Sequence, residues 1–120
     1  MTDRDALADW IGRYERAWET NEPADIGSLF SADAEYRFAP GEPPVHGREA
    51  IVGHWLERRD EAGDHDFRWA PVAVEGDVAV VQGRTDYHDG RAWDNLWVIR
   101  LQPDGTAADF TEWAIEPPRD

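Results

Sequence analysis

The sequence predicts an α+β fold, in which helices gather against one side of an antiparallel sheet. Three observations favour this class: an apolar stripe with helical spacing near the N-terminus, a change to alternating periodicity after Gly63, and tight-turn signals between the alternating segments. A chain of 120 residues suits one domain and can bury a core without metals or disulfides. We therefore expect residues 1–120 to form a single domain.

The first helix is expected from Asp3 to Thr20, because apolar residues recur there on one helix face. This stripe consists of Leu7, Trp10, Ile11, Tyr14, Ala17 and Trp18. A buried Tyr or Trp needs a partner for its O–H or N–H, so the face predicts either an aromatic core or the wall of a ligand pocket. Pro23 fits the first turn of a short second helix. A third helix is predicted to start near Gly47 and to end before Gly63.

Strands account for the remaining periodic segments. They are predicted at Ala34–Phe38, Phe67–Val74, Val78–Tyr87, Ala92–Leu101 and Ala107–Ile115, the last four as antiparallel neighbours. Asp89-Gly90 is typical of a two-residue hairpin turn, and Pro103-Asp104-Gly105 of another tight turn.

Composition excludes several classes of function. The chain has no cysteine, and its 12 basic residues are all arginine, which excludes thiolate and lysine Schiff-base chemistry. A net charge of −14 disfavours nucleic acid and anionic membrane surfaces as partners. No apolar run approaches the ~20 residues of a membrane span, and no signal peptide is recognisable, so a cytoplasmic location is expected.

Motifs for cofactors and metals are missing. The four histidines do not have the spacing of metal ligands, and the sequence contains no glycine-rich phosphate loop or dinucleotide fingerprint. We therefore expect no metal and no cofactor.

Four segments together resemble the nuclear transport factor 2-like superfamily, in its SnoaL-like branch. They are Arg13–Trp18, Ile26–Ala34, Gly47–Ile51 and Asp104-Gly105 before the last strand. The resemblance implies a cone-shaped domain with a curved sheet wrapped around the helices, a pocket between them, and pairing of two copies through the outer sheet face. The superfamily includes ketosteroid isomerases, polyketide cyclases, dehydratases, epoxide hydrolases and members without a reaction, so the fold alone does not define a function.

The sheet faces can be assigned from the turns. With a two-residue turn at Asp89-Gly90, the pocket face would carry Val81, Gly83, Thr85, Tyr87, Asp94, Leu96, Val98, Phe110 and Glu112. The opposite face would carry Gln82, Arg84, Asp86, Trp93, Asn95, Trp97, Thr111 and Trp113. This assignment chooses the face with smaller residues and a glycine, and a single bulge would exchange the two sets beyond it.

Glu112 is the leading candidate for a general acid or base. SnoaL-like cyclases carry a His-x-Asp pair on the last strand, and the resemblance places Phe110 and Glu112 at those positions. Burial would raise the pKa of Glu112 towards the range useful for proton transfer, and Asp94 could act as a second carboxylate. An ion-paired or solvated strand residue is the alternative for Glu112.

Two further residues are candidates for a functional role, one because of the resemblance and the other because of its chemistry. Tyr14 matches the ketosteroid isomerase tyrosine that donates to a developing oxyanion, but the chain lacks the aspartate that precedes proline in that family and has Phe38-Ala-Pro40 instead. Ketosteroid isomerase activity is therefore not expected. His46 could carry protons or simply fix the start of the third helix.

The leading hypothesis is a pocket protein that binds a hydrophobic small molecule, with cofactor-free isomerisation, cyclisation or dehydration as the chemistry if it is an enzyme. The expected lining is Tyr14, Trp18, Tyr36, Phe38, His46, Trp55, Leu96 and Phe110, with Glu112 and Asp94 as polar groups. The alternative is a non-catalytic ligand-binding or dimerisation module. A homodimer is expected through an exposed patch of Trp93, Trp97 and Trp113.

Overall fold

The computed structural model describes residues 3–58 and 64–117, and it has the α+β architecture expected from the sequence. Three helices pack against a six-stranded, mostly antiparallel, curved sheet. In chain order the elements are α1 (Arg4–Thr20), α2 (Pro23–Gly27), β1 (Phe30–Arg37), β2 (Val45–His46), α3 (Arg48–Glu57), β3 (His65–Glu75), β4 (Val78–Tyr87), β5 (Ala92–Leu101) and β6 (Ala107–Ile115).

Helix α1 begins and ends at residues that satisfy its free backbone groups. The Asp3 carboxylate accepts a hydrogen bond from the Ala6 N–H at 2.8 Å, and Asn21 closes the helix in the left-handed conformation. The buried side chains of the helix are Leu7, Trp10, Ile11, Tyr14 and Ala17. The indole N–H of Trp10 donates to the Leu29 carbonyl at 2.9 Å, so this large side chain lies in the core without an unpaired donor.

The strand order is β2-β1-β6-β5-β4-β3. Strands β1 and β6 run parallel, and every other pair is antiparallel. The parallel pair and the short strand β2 were not predicted, and β1 begins four residues earlier than expected, at Phe30. Helix α3 starts close to Gly47 as predicted, but the part of the predicted helix at 59–62 lies outside the described residues.

The predicted register of the β4–β5 hairpin is wrong by one residue. His88, Asp89 and Gly90 form a three-residue loop, in which the Tyr87 N–H donates to the Arg91 carbonyl at 2.8 Å and Gly90 has a φ of 99°. The Asp89 carboxylate accepts from the Arg91 N–H at 2.9 Å, which stabilises this longer loop.

A shift of one residue turns every β5 side chain to the opposite face. Trp97 is therefore a core residue, only 1% exposed, and lies opposite Val81. A second irregularity in the β5–β6 pair, between Arg100 and Leu101, restores the predicted faces of β6. The predicted exposed patch of three tryptophans does not exist, because Trp97 is buried and only Trp113 lies on the outer face.

Gly83 leaves no open space on the inner face, contrary to expectation. A Cβ atom at this position would lie 2.8–2.9 Å from two ring atoms of Phe67. The Phe67 ring occupies that volume and stacks on Trp97, with 5.1 Å between ring centres. The glycine therefore allows aromatic packing between β3 and β5, and the ligand space lies elsewhere.

Candidate functional site

A pocket with a cavity volume of about 240 Å³ lies between the helices and the inner face of the sheet. Its lining comes from α1, the end of α3, and the strands β1, β4, β5 and β6. The lining residues are Tyr14, Trp18, Tyr36, Phe38, Trp55, Arg58, Thr85, Tyr87, Trp93, Asn95, Glu112 and Ala114. Most of these side chains are aromatic, and the polar groups are concentrated on the sheet side.

Glu112 is the carboxylate in this pocket. Its Oε2 atom accepts a hydrogen bond from the Trp97 indole N–H at 2.7 Å and one from the Asn95 amide at 3.3 Å. Within the part of the chain that the structure describes, no hydrogen bond reaches Oε1, so this oxygen is the one available to a ligand.

Thr85 fixes the orientation of the amide that contacts Glu112. Its hydroxyl donates to the Asn95 Oδ1 at 2.8 Å, so the Asn95 amide nitrogen is directed to the carboxylate. Thr85 and Asn95 are both buried, where an unsatisfied polar group would cost free energy. This chain of hydrogen bonds holds the carboxylate in one place.

Burial raises the pKa of Glu112 above its usual 4.5, while the hydrogen bonds from Trp97 and Asn95 lower it by a smaller amount. Desolvation disfavours the charged form, and donors favour it. The carboxylate is therefore easier to protonate than an ordinary glutamate.

Two tyrosine hydroxyls lie in the same pocket. The oxygens of Tyr14 and Tyr36 are 3.3 Å apart, within hydrogen-bond distance. Burial, with smaller effects from the charges of Tyr14 and Glu112, raises the pKa of Tyr36 well above its usual value. Tyr36 therefore keeps its proton at neutral pH and can donate a hydrogen bond to a ligand oxygen.

Aromatic contacts support these hydroxyls from behind. The Tyr14 ring packs against Trp97 and Trp55 with ring centres 4.7 and 5.0 Å apart. Tyr36 stacks on Phe38 at 3.9 Å and packs on Phe110 at 4.5 Å. A polar pair held among large rings has little freedom to move, which favours a preorganised site.

The structure brings together six of the side chains expected at the pocket: Tyr14, Trp18, Tyr36, Phe38, Trp55 and Glu112. Phe110 lies directly beneath the pocket as a fully buried core residue.

Three expected placements are wrong. Asp94 and Leu96 lie on the outer sheet face because of the register shift, and Asp94 forms an exposed ion pair with Arg84 at 3.4 Å. A catalytic pair of Asp94 with Glu112 is therefore not available. His46 lies on the short strand β2, exposed and opposite Glu35, so it does not line this pocket.

Sequence reasoning missed Thr85 as a partner of Asn95, and it missed Asn95, Trp93 and Arg58 as lining residues. A three-residue loop at 88–90 places the side chains of Asn95 and Trp93 on the inner face of the sheet, and Gly90 in the third position is a signal for such a loop. Nothing in the sequence indicated that Arg58 lines the pocket, because its position depends on where α3 ends.

Other cavities do not combine these features. Grooves of about 610 and 790 Å³ lie between α2 and α3 and beside the β5–β6 turn. They are larger, but the smaller pocket is the one in which a carboxyl group, an amide and two phenol hydroxyls converge. Among residues 3–58 and 64–117, no group of three or more His, Asp or Glu side chains is placed to hold a metal ion. None of the described helices is long and apolar enough to cross a membrane.

Comparison with known proteins places the chain in a family. The family model for the SnoaL-like domain matches residues 11–114, and the chain belongs to this family. The fold and the family thus agree with the resemblance found in the sequence, a nuclear transport factor 2-like fold in its SnoaL-like branch. No curated protein matches the sequence.

Solved structures share the fold at low sequence identity. An NTF-2 like protein of unknown function from Burkholderia xenovorans LB400 has a TM-score of 0.75 at 12% identity, over 97% of this chain and 88% of that one. An NTF2-like protein of unknown function from Mesorhizobium loti has a TM-score of 0.65 at 21% identity, over 95% of each chain. A ketosteroid isomerase-like protein from Erwinia carotovora atroseptica SCRI1043 has a TM-score of 0.68 at 17% identity, over 94% and 96%.

Proposed function

We propose that the pocket binds a small, largely apolar carbonyl compound and that Glu112 transfers a proton on it without a cofactor. The observation that supports this most is the buried carboxylate with one oxygen held by Trp97 and Asn95 and the other available to a ligand. A carboxylate with a raised pKa is better suited to take and return a proton than an ordinary glutamate.

Tyr36 is proposed as the donor to the carbonyl oxygen, with Tyr14 as its hydrogen-bonded neighbour. When a base removes a proton next to a carbonyl, negative charge develops on the oxygen, and a buried phenol O–H stabilises that charge. The two hydroxyls are 3.3 Å apart, so one can support the other while it donates to the ligand.

Isomerisation fits this set of groups better than dehydration. Glu112 is the carboxyl group among the described residues that line the pocket, and no second carboxyl group and no histidine accompanies it in that lining. In a β,γ-unsaturated ketone, the carboxylate can remove the proton on the α-carbon to give a dienolate. The same carboxyl group then returns that proton to the γ-carbon, so the double bond moves into conjugation and nothing is released.

The size of the pocket limits the substrate. A volume of about 240 Å³ is below the ~300–1,000 Å³ typical of pockets for drug-sized ligands. We therefore propose a substrate with one ring, stacked among Trp18, Phe38 and Trp93.

As in the sequence-based expectation, a cytoplasmic location remains a prediction.

The test is the conversion of 3-cyclohexen-1-one to 2-cyclohexen-1-one, followed by ultraviolet absorbance. We expect a rate above buffer that Glu112→Gln reduces by about 100-fold or more, because the amide cannot accept the proton. Glu75→Gln, which removes an exposed carboxylate at the end of β3, is the matched control and should leave the rate unchanged.

A non-catalytic ligand-binding module is the second candidate. It is favoured by the contact between the Tyr14 and Tyr36 hydroxyls, 3.3 Å apart, which engages one of the two O–H donors within the protein itself. Under this alternative, cyclohexenone shifts the NMR signals of pocket residues but does not isomerise faster than in buffer.

A further inference from the structure

Arg58 is the cationic side chain of the pocket. It follows the last residue of α3, and its N–H donates to the Trp55 carbonyl at 3.1 Å. Its guanidinium carbon lies over the Phe38 ring, 5.7 Å from the ring centre. Phe38 in turn stacks on Tyr36, with 3.9 Å between the ring centres. The guanidinium carbon is therefore no farther from the centre of the Tyr36 ring than these two distances added together.

The partners of Arg58 set it apart from most arginines of the chain. The arginines that hold a carboxylate or a backbone carbonyl are Arg13, Arg16, Arg37, Arg48, Arg68, Arg84, Arg91 and Arg100. Within residues 3–58 and 64–117, Arg58 forms no ion pair and no side-chain hydrogen bond.

We propose that Arg58 recognises a carboxylate of the substrate, which is therefore a small aromatic or cyclic ketone with an acid group opposite its carbonyl. This inference rests on the proposed function, because Glu112 and Tyr36 define the carbonyl end of the ligand. A guanidinium offers two parallel N–H donors that match a carboxylate, and its cation–π contact with the Phe38 ring holds it at the pocket wall.

The charge of the whole protein does not prevent such binding. A net charge of −14 repels anions at long range, but exposed charges beyond ~8 Å are largely screened at physiological ionic strength. Nearby charges therefore decide. Among the described residues that line the pocket, the charged side chains are Glu112 and the exposed, cationic Arg58. Selection for a carboxylate would be a local property of this residue.

The experiment compares two ketones of nearly equal shape by isothermal titration calorimetry at 0.15 M salt: 4-acetylbenzoate, which carries the acid group, and 4-acetylbenzamide, which is neutral. The variants are Arg58→Gln, Arg58→Lys and Arg4→Gln. Arg4 is the other described arginine without a side-chain hydrogen bond or ion pair, and it lies at the start of α1, away from the pocket. Its variant removes the same charge at a distance.

We expect the wild-type protein to bind the benzoate about fivefold more tightly than the amide, as for a partly exposed ion pair. Arg58→Gln should bring this affinity ratio to about one without changing the affinity for the amide. Arg58→Lys should retain part of the preference for the benzoate, and Arg4→Gln should retain all of it. Equal binding of the two ketones by the wild type, or a ratio that survives in Arg58→Gln, would overturn the inference. Failure of both ketones to bind would overturn the proposed function as well.

Discussion

Glu112 couples the stability of the protein to pH. Its pKa is raised in the folded protein because burial disfavours the charged carboxylate. The folded state therefore holds the proton more tightly than the unfolded chain. The stabilisation from Glu112 is complete below the ordinary pKa of a glutamate and is lost as pH rises through the higher folded-state pKa.

We predict that the difference in unfolding free energy between the wild type and Glu112→Gln changes with pH in one direction. As pH rises above about 4.5, the wild type should lose stability relative to the variant, and the difference should level off once Glu112 is ionised in both states. Urea denaturation of both proteins at a series of pH values measures this. The other acidic residues are common to both proteins, so a difference that does not vary with pH would contradict the raised pKa.

Asn95 contributes to the pKa of Glu112 through its amide. Its hydrogen bond favours the ionised carboxylate, so Asn95→Ala should raise the pKa of Glu112 further. Thr85→Val, which removes only the support of the amide, should raise it by a smaller amount. Carboxyl ¹³C NMR titrations of the three proteins give the order, and an unchanged pKa in Asn95→Ala would show that the hydrogen bond has no effect.

At the scale of the elements, strands β3, β4 and β5 depend on a glycine that leaves space for an aromatic ring. Gly83→Ala would place a Cβ atom 2.8 Å from the Phe67 ring and 3.1 Å from the Arg68 carbonyl oxygen. Overpacking of this kind costs about 1–3 kcal/mol. We expect a loss of unfolding free energy of that size in chemical denaturation.

Gly53→Ala in α3 is the matched control, because nothing lies within 4 Å of its added Cβ. In a helix interior, alanine is preferred over glycine by up to ~1 kcal/mol, so this variant should be slightly more stable than the wild type. In Gly83→Ala/Phe67→Leu the smaller side chain removes the clash, and part of the loss should be recovered relative to Phe67→Leu alone. An equal cost of Gly83→Ala in both backgrounds would contradict the packing explanation.

The elements themselves could be predicted because their signals are local. The apolar stripe of α1 and the alternation in β4, β5 and β6 gave their positions to within a few residues. The inner face of β5 could not be predicted, since it depends on whether the loop before Ala92 has two or three residues. Asp89 and Gly90 are compatible with both loops, and the choice exchanges Leu96 for Trp97 in the core.

The candidate site, like the fold, could be predicted from the sequence only in part. Tyr14 lies in the predicted pocket because the helical spacing of α1 fixes its face. Glu112 lies there because the one-residue difference in the β4–β5 register is cancelled by the irregularity in the β5–β6 pair. The hydrogen bonds of Asn95 and Trp97 to Glu112 depend on the true register, so no reasoning from the predicted register could reach them.

At the scale of the whole molecule, the outer face of the sheet is the surface on which we predict a homodimer. Leu96 lies opposite Trp113 on the adjacent strand, and Val98 lies opposite Val80, which gives a half-buried apolar strip. The Arg84–Asp94 ion pair borders it. Mixed aromatic, aliphatic and arginine surfaces are typical of protein interfaces.

Trp113→Arg should convert the dimer to a monomer, because it places a like charge from each copy in a two-fold symmetric contact. Sedimentation velocity at micromolar concentration measures the change. Val72→Arg on the edge strand β3 introduces the same charge at an exposed valine and should leave the dimer intact. A wild-type protein that sediments as a monomer at high micromolar concentration would contradict this prediction.

The proposed proton transfer depends most directly on the pKa of the Glu112 carboxyl group in the folded protein. It can be measured by ¹³C NMR on protein labelled at glutamate side chains, with the Glu112 signal assigned by its loss in Glu112→Gln. We predict a titration midpoint clearly above 4.5, because burial raises it by more than Trp97 and Asn95 lower it. A midpoint at or below 4.5 would mean that the carboxylate is solvated or fully stabilised in its charged form, and would contradict a role for Glu112 as the proton-transfer group.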